Sequence, residues 1–421
     1  MTLVADSNID IKAWQFCHPR WHETVRRVCR SEPGALVIPH NRAALGEIVK
    51  TAQQEKKTII PCGNGSKLAW GGVTSGADWL VSTKKLNGIL EHAVNDLTIT
   101  VEAGLTLAAL QKHLAAYNQF LPLDPSFPAD ATLGGIVATA DAGSWRQRYG
   151  GVRDLLLGIT VVRTDGEFAK AGGKVVKNVA GYDLMKLFTG SYGSLAIATE
   201  LTFRLYPLQE LSQTILVTGS NANIAKACQR LMDSVLTPTG ADLLSQALMQ
   251  QLDLGNSFGL LVRFEAIQES ITAQINELEA IAAALSLQTQ SQPETLWRKI
   301  SATIHQSPVY CKVGVLPTHA TELLTLCETL TDGAGSGMIH IKSGLGLLHF
   351  PHAKFLRQFQ EVRQFCQQNQ GFLTVLDAPY SLKTQFEPCG YNGSALPLMK
   401  KIKQQFDPNN LLSPGRFVGK I

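Results

Sequence analysis

Apolar and polar positions divide the chain into two differently patterned regions that meet near residue 208. In the first, Leu45, Ile48, Val49 and Ala52 share one helical face, and Asn41 stands ahead of them as a helix cap. The run Thr58-Ile59-Ile60-Pro61 reads as a buried strand entering a glycine loop. Further strands are expected over 78–82, 98–102 and 155–163, the last closing on a Thr164-Asp165-Gly166 turn, with a short helix over 107–117 capped by Thr106. After Pro207 longer helices alternate with strands, the latter expected over 214–218, 258–264, 309–316 and 372–376. A helix over 267–287 aligns Ile271, Ile275, Leu278, Ala282 and Leu285, and one over 351–366 aligns Phe355, Phe359, Val362 and Cys366. Both stripes read as ordinary core-facing helices, and 331–337 as a short glycine-rich loop.

Composition narrows the function classes. With 421 residues the chain has room for two or three domains, and 45% apolar residues exclude disorder as its main state. A net charge of +4, from 38 basic and 34 acidic residues, is too even for nucleic-acid binding. Cys17, Cys29, Cys62, Cys228, Cys311, Cys327, Cys366 and Cys389 stand singly, without zinc or iron–sulfur spacing, and read as reduced cytosolic thiols. The first fourteen residues carry Asp6 and Asp10 and no apolar core, so no secretory signal is expected. No apolar run reaches the roughly 20 residues of a membrane span.

More than half of the 36 glycines fall between Gly63 and Gly193, the pattern of loops in which backbone approaches a ligand closely. Gly63-Asn64-Gly65-Ser66-Lys67 lets backbone N–H groups converge on an anionic group. It is neither a Walker loop nor a Rossmann turn, which argues against a nicotinamide enzyme. Pro122-Leu123-Asp124-Pro125 leads to Thr132-Leu133-Gly134-Gly135 and on to Thr139 and Gly143, then to Tyr149-Gly150-Gly151-Val152-Arg153-Asp154. A third segment, Lys177-Asn178-Val179-Ala180-Gly181-Tyr182-Asp183-Leu184, precedes Gly190-Ser191-Tyr192-Gly193. Three such loops in series call for one large ligand.

These segments resemble the FAD-binding domain of the vanillyl-alcohol-oxidase/p-cresol-methylhydroxylase (PCMH) flavoproteins, and within that superfamily the FAD-binding subunits of bacterial glycolate oxidase. The tail is similar too, in Phe406-Asp407-Pro408-Asn409-Asn410-Leu411-Leu412-Ser413-Pro414-Gly415-Arg416. The likeness is strong over about 30–207 and 371–418 and vague between. It implies an α+β fold in three parts. These are a two-subdomain PCMH-type FAD-binding domain over 1–208, an α+β substrate or cap domain with an antiparallel sheet over 209–376, and a C-terminal segment, 377–421, returning to the FAD domain. The resemblance implies that Gly63, Asn64, Gly65 and Ser66 hold the FAD pyrophosphate and that Leu133, Gly134, Gly135 and Thr139 line pyrophosphate and isoalloxazine. Ile197 would contact the adenine end through its backbone, and Pro122, Gly143, Asn178 and Tyr182 join the cofactor-binding set. Covalent members carry a histidine just after the first glycines; Ser66 and Lys67 stand there, so non-covalent FAD is expected.

Oxidising a 2-hydroxy acid with a flavin needs a base for the hydroxyl proton and a cation for the carboxylate. The related catalytic subunits and D-lactate dehydrogenases carry His-Gly-x-Gly-Asp-Gly-Asn-x-His with a divalent metal. Here residues 339–350 keep two glycines and two histidines but lose the acidic and amide residues, so no metal is expected and the catalytic residues stay open. His340, His349 and His352 are candidates against the plain reading of hydrogen-bonded histidines, His340 and His349 meeting if the chain turns at Gly344. Lys177, Asn178, Tyr182 and Asp183 belong near the flavin by family likeness. Arg146, Arg148 and Arg153 are candidate clamps against the reading of surface arginines. Lys400, Lys401 and Lys403 read as cations complementing the end of a helix capped by Ser394. Arg20, Arg26, Arg27 and Arg30, near Trp14, Phe16 and Trp21, read as a solvated helix face, with a docking surface as the alternative.

The resemblance implies a cytoplasmic FAD-dependent oxidoreductase subunit converting glycolate to glyoxylate and passing electrons to a second flavin subunit and an iron–sulfur subunit. Two alternatives stand beside it: a non-catalytic flavin-binding assembly subunit, and a stand-alone FAD oxidoreductase for another hydroxy acid or alcohol.

Overall fold

Asn41 caps the helix Arg42–Glu55 as its side chain predicts: Oδ1 accepts from the Ala44 N–H at 2.9 Å. The computed structural model describes residues 7–173, 181–352, 356–391 and 393–421. The chain falls into two units, the first comprising residues to 143, 150–208 and 383–421, the second 144–149 and 209–382.

Unit 1 contains two sheets. The smaller runs in the order Ile9–Ala13, Ala35–Pro39, Trp79–Ser82, Ile59–Cys62, with Trp79–Ser82 parallel to both neighbours. Parallel strands need a crossover, and the capped helix supplies it, burying Leu45, Ile48, Val49 and Ala52 among Val37, Ile59 and Val81. The second sheet is antiparallel, in the order Ile89–Ala93, Thr98–Glu102, Ile197–Arg204, Leu156–Val162, Phe168–Gly172. Its last two strands join at Gly166, as the Thr-Asp-Gly turn predicts.

Two expectations for the C-terminal segment change. The helix Leu396–Phe406 is capped at Ala395 without a side-chain bond, so Ser394 stands one residue too early to serve. Lys403 is a buried staple rather than a solvated dipole partner. Its ammonium donates to Ser194 O and Leu412 O, both at 2.8 Å, and to Asp407 Oδ2 at 2.6 Å.

Unit 2 is built on one eight-stranded antiparallel sheet in the order Gln288–Gln292, Leu211–Thr218, Gly259–Ala266, Gly240–Leu244, Ser336–His340, Leu345–Phe350, Val309–Gly314, Phe372–Asp377. The expected stripes form the helices Gln268–Ala283, burying Ile271, Leu278 and Ala282, and Leu356–Gln368, burying Phe359, Val362 and Cys366. Phe355 lies outside the described residues. The strand Gln288–Gln292 carries no apolar side chain, so alternation could not announce it; it sits at the sheet edge through backbone pairing alone. The glycine loop expected over 331–337 ends earlier, with Ser336 opening a strand.

Candidate flavin site

The three glycine segments of unit 1 converge on one cavity of about 880 Å³, its open mouth included. The first begins where the strand Ile59–Cys62 ends. Gly65 has φ of 78°, and a Cβ there would stand 2.7 Å from the Trp21 ring, so both backbone and space require glycine. Ser82 Oγ donates to Gly63 O at 2.7 Å, and the Asn64 amide donates to Asp130 O at 3.0 Å, which fixes the loop.

The second segment enters as the short helix Leu133–Thr139, capped by Thr132, whose Oγ1 accepts from Gly135 N. Gly134 lets that helix press on the chain at Ala103. Its N–H donates to Ala103 O at 2.7 Å, and a Cβ would come within 2.9 Å of that residue. The third segment is tied back to this helix, with Gly190 N donating to Val137 O and Tyr192 N to Ala138 O.

Among the described residues, the charged ones lining the cavity are Lys67 and Arg416, and none is acidic. Lys67 lies 2.9 Å from Asp141 Oδ2, a carboxylate also held by the Ser126 N–H and hydroxyl. Burial pulls the Lys67 ammonium below its ordinary value, and Asp141 offsets part of that. Arg416 is buried with no carboxylate beside it. Its Nη2 donates to Leu68 O at 2.7 Å and Trp70 O at 2.6 Å, while Nη1 has no hydrogen-bond partner. Lys383 donates to the alternate carbonyls, Ala69 O and Gly71 O, so two cations of the C-terminal segment grip four successive carbonyls. A buried cation with an empty donor favours an anionic ligand. The lining also includes the apolar side chains of Ile159, Val161, Phe188, Ala196 and Ile197. A long ligand with an anionic middle and flat apolar ends fits, and FAD has that chemistry.

Of the residues named from sequence, Gly63, Asn64, Gly65, Ser66, Gly134, Gly135, Thr139 and Ile197 line this cavity. Pro122 and Leu133 are buried away from it, Gly143 N donates to Asp124 Oδ1, and Tyr182 is 89% exposed. Lys177 and Asn178 lie outside the described residues. Tyr192 and Arg416 line the cavity and were not singled out, although both stand in quoted motifs.

Two family models match the sequence: an FAD binding domain over residues 33–172 and the C-terminal domain of FAD linked oxidases over 382–417. A D-2-hydroxyglutarate dehydrogenase of Xanthomonas citri is 34% identical, the alignment covering 91% of this chain and 89% of the relative. The chain belongs to the FAD-linked oxidases. Glycolate oxidase subunit GlcE of Escherichia coli is 27% identical over 90% of this chain and 97% of its own length, and subunit GlcD of Bacillus subtilis 26% over 93% and 90%. Among solved structures, 4-ethylphenol oxidase from Gulosibacter chungangensis superposes with a TM-score of 0.76 at 13% identity over 96% of this chain and 93% of its own. The protein is thus an FAD-dependent oxidoreductase with the α+β fold of this family.

The histidines expected to meet do not. In the hairpin of Ser336–His340 and Leu345–Phe350, Ser336 opposes His349 and Ile339 opposes Gly346, which leaves His340 at the turn and His349 at the far end. His349 faces the Ser336 and Ser307 hydroxyls, and burial pulls it down to about 4, so it is neutral at physiological pH. Among the described residues no three His, Cys, Asp or Glu side chains gather as a metal site requires, and no helix is long and apolar enough to cross a membrane. Arg148 and Arg153 are exposed, and Arg146 is half-buried.

Proposed function

We propose that this chain binds FAD non-covalently and oxidises a small 2-hydroxy acid to its 2-oxo acid in the cytoplasm, as a subunit of a larger complex. The observation that carries the reading is the cavity under the three glycine segments, whose lining charges among the described residues are the cations Lys67 and Arg416. FAD bound there supplies the hydride acceptor. The chain's own residues hold its phosphates at the first glycine loop and its charge beside Arg416. The nucleophiles lining the cavity are poor partners for a covalent flavin link: burial pushes the Cys62 thiol up to about 12 and raises the Tyr192 phenol as well. The substrate class follows the relatives, which are named as glycolate oxidase subunits and D-2-hydroxyglutarate and D-lactate dehydrogenases. Electrons leave through partners, a second flavin subunit and an iron–sulfur subunit, because this sequence has no cluster spacing of its own.

A flavin-binding assembly subunit without turnover is the second reading, favoured by the hairpin that keeps His340 and His349 apart. An anaerobic visible spectrum of the FAD-loaded chain separates the two. Bleaching by glycolate, D-lactate or D-2-hydroxyglutarate is expected; bound flavin that stays oxidised with all three supports the assembly role, and failure to retain FAD overturns both.

A further inference from the structure

The helix Pro19–Arg26 carries two of the arginines that the sequence left between a solvated face and a docking surface. Arg26 Nη2 lies 3.0 Å from Glu32 Oε1, a local pair at the surface. Arg20 reaches 110 residues along the chain, its Nη2 donating to Asp130 Oδ2 at 3.2 Å. Trp21, the next residue, is half-buried against the core cluster that holds Val25, Val28, Ile60 and Leu68, and its indole stands against Gly65.

Two adjacent residues of one helix thus hold two of the three glycine segments. In the first segment the indole edge fills the room that a side chain at position 65 would take, Cζ3, Cη2 and Cε3 lying 2.7, 3.1 and 3.3 Å from that Cβ position. Arg20 holds Asp130, whose carbonyl accepts from the Asn64 amide and which stands two residues before Thr132, the cap of the second segment. The 63–67 loop, Thr132, Gly134 and Gly135 line the cavity, whereas Arg20, Trp21 and Asp130 lie outside its lining. The helix grips the loops from beyond the ligand's space. It is itself anchored at both ends: His18 Nδ1 accepts from Arg20 N at 3.2 Å, and just past Arg26 the chain is tied to Thr74, with Thr74 N donating to Val28 O at 2.8 Å and Arg30 N to Thr74 O at 3.1 Å.

Glycine loses more conformational freedom on ordering than any other residue, and N–H groups that are already convergent when an anion arrives bind it more tightly. A loop with glycine at 63 and 65 has no side chains there to hold that shape, and the Trp21 indole supplies the missing contact. We propose that Trp21 is a positioning residue for the phosphate cradle, keeping the 63–67 loop in its binding shape, with the Arg20–Asp130 pair as a weaker second tie. The proposal rests on the reading that this loop holds the FAD phosphates and goes beyond it in giving the N-terminal helix a part in retaining the cofactor.

Uptake and release of FAD by the full chain, followed by flavin fluorescence after rapid mixing, test the proposal. Trp21→Ala should release FAD about tenfold faster than wild type with uptake nearly unchanged, so that affinity falls by the same factor. Trp21→Phe keeps an aromatic edge over Gly65 and should stay within about threefold of wild type. Arg20→Gln should speed release about twofold, as an exposed ion pair allows. The melting temperature of each FAD-free variant is measured alongside, and if W21A does not fold, W21L takes its place with the same expected direction. A lower melting temperature with wild-type release and affinity overturns the positioning role and leaves Trp21 a core residue only. Faster release matched by faster uptake, at unchanged affinity, overturns it as well, because the helix would then be a gate. Wild type that retains no FAD ends the flavin reading itself, whereas FAD retained equally by wild type and variants ends the positioning role alone.

Discussion

Lys403 and Arg416 both come from the C-terminal segment, both are buried, and both donate to backbone carbonyls of unit 1. Lys403 closes its own account with two carbonyls and the Asp407 carboxylate. Arg416 has two carbonyls, no carboxylate and an empty Nη1 that faces no protein acceptor. One cation is complete in the protein alone and the other is complete only with a ligand. The difference gives a criterion for separating structural from functional charges that exposure cannot give, since the two are equally hidden. Lys67, paired to Asp141 yet lining the cavity, lies between these cases.

The comparison breaks first at Lys403. Lys403→Met leaves Asp407 buried without its cation, so the folded state should lose about 3–5 kcal/mol in chemical denaturation. FAD affinity, measured on whatever fraction is folded, should hardly move. Unchanged stability would mean that Asp407 does not need the staple.

A second self-satisfied group is His349, between two serine hydroxyls. Its folded pKa is depressed to about 4 from an ordinary 6.5, so between those values the unfolded chain binds a proton that the folded chain does not. Stability therefore falls as pH drops through that window, by about 3 kcal/mol once complete. His349→Gln keeps an amide for the hydroxyls and removes the titration. The stability difference between wild type and H349Q should shift by that amount between pH 7.5 and pH 4, and a difference that stays flat would show an imidazole as easily charged folded as unfolded.

Arg416 is the ligand-side half of the comparison. Arg416→Met should weaken FAD binding about 10–100-fold by flavin fluorescence titration. The melting temperature without FAD should fall less than in K403M, because removing an uncompensated buried cation relieves a cost while two carbonyl bonds are lost. The reverse pattern, a large stability loss with intact FAD affinity, would make Arg416 structural.

What the sequence could foretell here was local. The Asn41 and Thr106 caps, the Thr-Asp-Gly turn and the helical stripes depend on residues within a few positions of each other, so periodicity and side-chain chemistry suffice. Eight of the residues that the family resemblance assigned line the cavity, and among them Gly63, Gly65, Gly134 and Gly135 stand where the clustering of glycines had already pointed to close backbone approach. Lys403 was misread because its partner Ser194 lies far away in sequence, and position in a helix says nothing about what folds over it. Gln288–Gln292 shows the complementary failure, a strand held by backbone pairing with nothing in its side chains to announce it.

The smallest effect puts the same question to helix ends. Asn41 accepts from Ala44 N, so Asn41→Ala leaves an N–H unsatisfied and should cost about 1 kcal/mol. Ser394, equally plausible as a cap, is exposed and one residue removed from the cap position of its helix, so Ser394→Ala should change stability by less than about 0.5 kcal/mol. Denaturant titrations of the two variants side by side test whether satisfaction in place, rather than residue type, determines the energy. Equal losses would return Ser394 to the helix cap and extend Leu396–Phe406 toward it; the expected inequality confines the Lys403 staple to a helix whose start is held by packing and Pro397 rather than by a hydroxyl.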